Sequence, residues 1–250
     1  MKININTALA DAWSMWSADR DLLLRIVGPL IFLPQFAALL LVPAMQIDAS
    51  SDEAAARDAF VTWFSANGPW LAAVQVIALY GTLVLQMAYL SGDRPTLGKA
   101  LADSLRLLPR FFLVAILVSA PAMAIAIPVI GLAMVLPALY LFGRWLLATP
   151  ELVAERPVGA IEAIRRSFEM TRGNGLLMMA ITGIMILAGQ FASAPFLALG
   201  TILGGAPDAN PVVKAVLDAL AAASATAALL AAILVRIALY YQLRGIKRGT

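Results

Sequence analysis

Residues 111–143 read FFLVAILVSAPAMAIAIPVIGLAMVLPALYLFG, 33 positions without a charged side chain, held between Arg110 and Arg144. As one straight helix this run would be about 50 Å long, against a bilayer hydrocarbon core of about 30 Å. Pro128 lies within it, with Gly131 close behind. A proline inside a helix removes a backbone donor and clashes with the preceding turn, so the chain has a natural place to reverse there. The stretch predicts a tight helical hairpin, with spans at about 111–127 and 130–149.

Four further apolar runs flank it, at about 26–45, 70–90, 176–198 and 215–241, the last with Asp218 near its start and Arg236 near its end. Residues 1–21 are mixed and polar, and the first apolar run is late and long, so no cleavable signal is expected. The reading is an all-α integral membrane protein, a bundle of six transmembrane helices in one domain spanning residues 1–250. Composition agrees. The chain is 62% hydrophobic and 13% charged, where soluble domains average about 45–50% and about 25%. Mean hydropathy is +0.87.

Charge sets the orientation. With six spans, one side holds Lys2, Arg20 and Arg25, then Arg94, Lys99, Arg106 and Arg110. The same side holds Arg156, Arg165, Arg166 and Arg172, then Arg244, Lys247 and Arg248. The other side holds only Arg57 and Lys214, while Arg144 and Arg236 lie within spans. By the positive-inside rule both termini are cytoplasmic, in the cytoplasmic (inner) membrane. A single span at 111–143 would put the Arg156–Arg172 cluster outside, against that rule. Trp63, Trp70, Trp145, Tyr240 and Tyr241 fall near the expected interfaces and are read as anchors. The acidic stretch 46–60, with Asp48, Asp52, Glu53 and Asp58, reads as a solvated outer loop.

Three cytoplasmic segments have apolar residues at helical spacing: 6–17 (Leu9, Trp13, Trp16), 96–108 (Leu97, Leu101, Leu105, Leu108) and 158–170 (Ile161, Ile164, Phe168). Opposite the last stripe stand Glu162, Arg165, Arg166 and Glu169. Such stripes suit helices lying in the interface against anionic heads, or connectors packed under the bundle. Gly173, Asn174 and Gly175 read as a helix stop before the next span. Ala100-Leu101 and Ser104-Leu105 match Ala163-Ile164 and Ser167-Phe168, each set following an Arg-Pro pair. This suggests a duplicated unit, residues 70–127 and 130–198.

Span 6 is crowded with small residues from Ala219 to Ala232 and is expected inside the bundle, with Ala223 and Ala227 at a close contact. Gly189-x-x-x-Ser193 is a candidate partner surface, and Gly200-x-x-x-Gly204 is read as a turn beside a loop. Gln35, Gln75, Gln86 and Gln190 are read first as interhelical hydrogen-bonding groups.

The chain has no Cys and no His. Thiol and imidazole nucleophiles, Cys/His zinc sites and disulfides are thereby excluded. No nucleotide-binding glycine motif and no intramembrane carboxylate pair occurs, so no catalytic residue, cofactor or metal is expected. The positive charge is assigned to membrane loops, with no nucleic-acid partner. One constellation stands out. Arg144 lies about five residues inside span 4, followed by Pro150, Glu151 and Glu155, with Arg236 at similar depth on span 6. Either Arg144 snorkels to the headgroups, or it pairs with Glu151 or Glu155 in a cluster that Arg236 shares and that holds a lipid phosphate.

The order Arg144, Leu147-Ala148, Pro150, Val153-Ala154-Glu155, Ala163-x-x-x-Ser167 and Arg172-Gly173 resembles the glycerophosphoryl diester phosphodiesterase membrane-domain family and a related uncharacterised bacterial inner-membrane family. Leu239-Tyr240-Tyr241-Gln242-Leu243-Arg244 is similar to that family's Tyr-Tyr-Asp-Leu-Arg ending, with Gln242 in place of Asp. The likeness runs from about residue 95 onward. It implies an all-helical inner-membrane domain, fused in some members to a His-dependent phosphodiesterase. This chain has no His, so that activity does not carry over. The expected function is a non-enzymatic module organising lipids or other membrane proteins. The alternative is a small permease or transporter component, for which a hydrated mid-bilayer cavity lined by Gln86, Gln190 or Arg144 would be the sign.

Overall fold

A computed structural model describes residues 3–45, 52–92, 95–125, 131–204 and 210–245. Among them the chain is helical throughout: α1 Ile5–Val27, a π-helical segment Gly28–Phe32, α2 Leu33–Leu41, α3 Glu53–Leu90, α4 Leu97–Ile125, α5 Gly131–Trp145, α6 Ala148–Ala154, α7 Ala160–Met170, α8 Gly175–Gly204 and α9 Pro211–Arg244. Among the described residues five stretches are long and apolar enough to cross a membrane: Ile5–Leu41, Glu53–Leu90, Gly131–Ala154, Gly175–Leu203 and Pro211–Arg244.

Helix α1 is continuous, but Asp19 leaves helical geometry at φ −120°, ψ 20°, and kinks it between its amphipathic and apolar halves. The first half is tied down at both ends. Asn4 exchanges hydrogen bonds with the Gln242 amide (3.2 and 3.3 Å), and Asp19 accepts one from the Tyr89 hydroxyl (3.0 Å). It therefore lies across the ends of α3 and α9. Beyond the kink, Pro29 has no N–H to continue the ladder, and the backbone widens into the π segment. Helix α3 packs on this segment through Gly81, where a Cβ would sit 2.9 Å from Leu30 Cβ.

The expected solvated loop before span 2 is helical from Glu53 onward, because Asp52 caps α3 by accepting from Ala55 N–H at 2.7 Å. Residues 46–51 lie outside the described residues. The expected separation of an interfacial helix 96–108 from a span 111–127 gives way to one continuous α4. Its uncharged part, Phe111–Ile125, is only about 22 Å long at 1.5 Å per residue. Residues 126–130, with the Pro128 turn, are outside the described residues. The chain nonetheless folds back, since α4 packs along α5 and Gly131 lies against the Ile125 carbonyl. Span 4 breaks after Trp145, and the short α6 follows.

The core is built at the crossings of α8 with α9, α5 with α8, and α1 with α9. In α9 the buried face is Asp218, Ala221, Ala222, Thr226 and Leu230, not Ala223 and Ala227, which are exposed. A run of alanines has no polar face to betray which side packs. Gly200 is inside α8, buried with its Cβ position 3.9 Å from Asp218, so the expected turn there is helix. Gly189 has open space beside it. Tyr240 is fully buried and the Tyr241 hydroxyl donates to the Tyr89 carbonyl, so these two are packing residues, not interface anchors. Trp63 donates to the Pro43 carbonyl (2.8 Å), joining α3 to the chain after α2.

Candidate functional site

Gly143 brings α5 and α8 into backbone contact. A Cβ there would lie 2.5 Å from Met179 N and 2.7 Å from Met178 C. This close crossing sets Arg144 beside the start of α8. Arg144 is 5% exposed. Its Nη2 donates to the Phe168 carbonyl and its Nη1 to the Tyr140 hydroxyl at 3.4 Å, while Nε has no partner. The Phe168 ring lies 3.9 Å from the guanidinium carbon. Such stacking contributes about 0.5–1 kcal/mol when exposed and about 2 when desolvated. The main-chain carbonyl of Arg144 accepts from Ser167 (2.9 Å) and Thr171 (3.3 Å), which close the open end of α5.

Of the two alternatives for Arg144, the pairing with Glu151 or Glu155 does not form. Among the described residues Arg144 has no carboxylate within 4.0 Å. The cation those acids find is Arg244. Glu151 has no exposed side-chain surface; its Oε1 accepts from Arg244 and lies 3.6 Å from Arg166. Glu155 lies 3.5 Å from Arg244. Glu162 accepts from Arg165 and Arg166 at 2.8 Å each, and Arg165 reaches Glu169 at 3.3 Å. The result is one network joining α6, α7 and α9. Hydrogen bonds from Arg165 and then Arg166 hold the Glu162 carboxyl down at about 2, so that group stays ionised well into the acid range. Arg236 is apart from it: half-buried in α9, with no partner at Nε and no ion pair among the described residues.

Helix α7 is where the sequence and the structure divide most usefully. Its inward face is Ala160, Ala163 and Ser167, with Ile164 partly buried behind them. Ile161 (75% exposed) and Phe168 (41%) form an outward apolar edge, so the predicted Ile161–Ile164–Phe168 stripe is split. The matching Ala100 and Ser104 of α4 are buried as well, so both copies of the repeated Ala-x-x-x-Ser pair are packing residues. Gly173 adopts φ +84°, the left-handed conformation that a helix stop requires.

Two surface cavities formed by described residues bear on these readings. One, about 240 Å³, is lined chiefly by Ala and Leu with Gln35 and Ser193. The other, about 430 Å³, is lined by Tyr140, Arg144, Gly173, Asn174, Gly175, Leu176 and Leu177. Gln86 lines neither: it is fully buried and donates to Thr149 of α6 at 3.1 Å. Gln35 accepts from Thr226 at 3.5 Å, and Gln75 and Gln190 face outward. The interhelical reading therefore fits Gln86 and Gln35 only.

Sequence reasoning missed Arg244 as the partner of Glu151. The ending Tyr240-Tyr241-Gln242-Leu243-Arg244 was the available signal. Three of its members each hold a different element: Tyr241 to α3, Gln242 to the start of α1, Arg244 to α6. Comparison with family models, curated proteins and solved structures returns no match. The likeness to the glycerophosphoryl diester phosphodiesterase membrane-domain family rests on the motifs quoted above.

Proposed function

We propose that this chain is a non-enzymatic, six-span bacterial inner-membrane protein, with both termini cytoplasmic, that organises lipid at its cytoplasmic face. The observation that carries this reading is the outward edge of α7. Ile161 and Phe168 stand exposed beside a fully ion-paired face. A helix pinned to a bundle by small residues, with apolar side chains left outside, is suited to the headgroup boundary. Leu9 and Trp13 of α1 and Leu105 of α4 are exposed in the same manner. The family likeness supports the same placement. The larger cavity is lined by Arg144, but it lies where α5 ends and α8 begins, Gln86 and Gln190 line neither cavity, and the smaller one is lined chiefly by Ala and Leu, so the permease reading gains little support.

The test is the composition of the lipid annulus. Protein extracted from the bacterial inner membrane in polymer nanodiscs should carry phosphatidylglycerol in excess over the bulk membrane, measured by lipid mass spectrometry. An annulus of bulk composition would remove the lipid-organising role. A stoichiometric protein recovered in place of lipid enrichment would move the function to partner assembly.

A further inference from the structure

We propose that the cavity between Arg144 and the start of α8 binds a phosphate mono- or diester group. This rests on the reading of that end of the bundle as a lipid-facing surface, and it adds a single site with a defined ligand chemistry. Arg144 lines the cavity at 5% exposure, yet its two hydrogen bonds go to neutral acceptors, Nε has none, and no carboxylate lies within 4.0 Å among the described residues. A buried cation without a counterion is costly, and an anion in the adjoining cavity removes that cost. The ring of Phe168 fixes the plane of the guanidinium, whose forked donors match phosphate oxygens.

The second wall supplies complementary groups. Helix α8 begins at Gly175, and its first intrahelical bond is Met178 N–H to the Asn174 carbonyl. The N–H groups of residues 175–177 therefore have no acceptor within the helix, and the helix dipole is positive there. Gly173, at φ +84° with nothing within 4 Å of its Cβ position, leaves the backbone open to a ligand. Leu176, one of the lining residues, is 72% exposed, and Phe168 and Ile161 of α7 are exposed too, a surface on which acyl chains can lie. Phosphate-binding groups inside and apolar groups outside match a phospholipid head with its tails.

The experiment is native mass spectrometry of the full chain released from micelles holding equal phosphatidylglycerol and phosphatidylcholine. The wild type should retain one phosphatidylglycerol in preference to phosphatidylcholine, and Arg144→Gln should lower that retention about tenfold, as loss of a charge-assisted contact does. A folded Arg144→Gln protein with wild-type retention overturns the site. Should that variant not fold, Gly173→Asp and Gly173→Asn decide, since both residues tolerate the left-handed conformation and they differ in charge. Retention lost in Gly173→Asp and kept in Gly173→Asn supports the site; retention kept in both overturns it. Millimolar inorganic phosphate distinguishes the sources: displacement of the lipid assigns the site to soluble phosphate, and persistence assigns it to lipid, both within the proposal. An annulus rich in phosphatidylglycerol in both wild type and Arg144→Gln, with no single retained lipid, removes the site and leaves the proposed function standing. An annulus of bulk composition removes both.

Discussion

A carboxylate with no exposed surface needs its charge matched where it sits, and Glu151 is matched by Arg244 from α9 and Arg166 from α7. Removing one partner of a buried pair leaves the other charge uncompensated and costs about 3–5 kcal/mol, whereas replacing both with apolar residues costs far less. Arg244→Met is therefore expected to lower stability in detergent strongly, and Glu151→Leu likewise. The double variant should lose much less than their sum, read from thermal unfolding followed by tryptophan fluorescence. Additive losses would show that the two side chains act separately. Glu155→Ala should cost less than about 1 kcal/mol, since that side chain is 41% exposed. This residue-scale site was half legible in the sequence. Glu151 and Glu155 stood out as acids at the inner end of a span. Their cation was sought in Arg144 because it is near in the chain, and Arg244 is 93 residues from Glu151. Nothing in local spacing reports a pairing made by tertiary packing.

At the scale of elements, long apolar runs were legible and their faces were not. Spans expected at 176–198 and 215–241 appear within Gly175–Gly204 and Pro211–Arg244, because length and absence of charge are local properties. Which side of α9 packs is decided by what α8, α1 and α2 present to it, and a row of alanines carries no mark of that. Ala222 is 1% exposed whereas Ala223 is exposed. Ala222→Leu should destabilise the bundle by about 1–3 kcal/mol through overpacking. Ala223→Leu should leave it unchanged, its side chain entering lipid. Equal melting temperatures for both variants would show that α9 packs on some other face. In α7 the split stripe has the same origin. Ile161, Ile164 and Phe168 share a spacing, but α4, α5 and α6 pack on α7 so that only its Ala160–Ala163–Ser167 side is fully buried.

For the whole molecule the question is how many times the chain crosses, and contacts at the helix ends supply a parity argument. The last residues of α3 and α9 meet through Tyr241 and Tyr89, and Arg156 after α6 donates to Ser91 at 3.0 Å. The end of α5 is held at that same end of the bundle, since Ser167 closes its carbonyl while Arg166, one residue away, reaches Glu151 and, through it, Arg244. If α3 and α5 both finish at one end, the chain between them has to reach the other end. Helix α4 is what lies between, and 29 residues at 1.5 Å each give about 43 Å, enough to do so. This supports six crossings even though the uncharged part of α4 is short. Arg110 and Lys99 would then lie toward the basic side, where snorkelling makes a short apolar segment acceptable. The absence of Cys makes the test direct. Single cysteines at Gly98 and Gly159 should react with a membrane-impermeant maleimide only in inverted vesicles. Cysteines at Arg57 and Val212, near the opposite ends of α3 and α9, should react only in right-side-out cells. Gly98 lies in the first turn of α4 and Gly159 beyond the ends of α5 and α6, so an even number of crossings between them puts both on one side. Labelling of the two from opposite sides would mean that α4 does not cross. Labelling of both from outside would keep the six spans and invert the protein, against the charge distribution that oriented it.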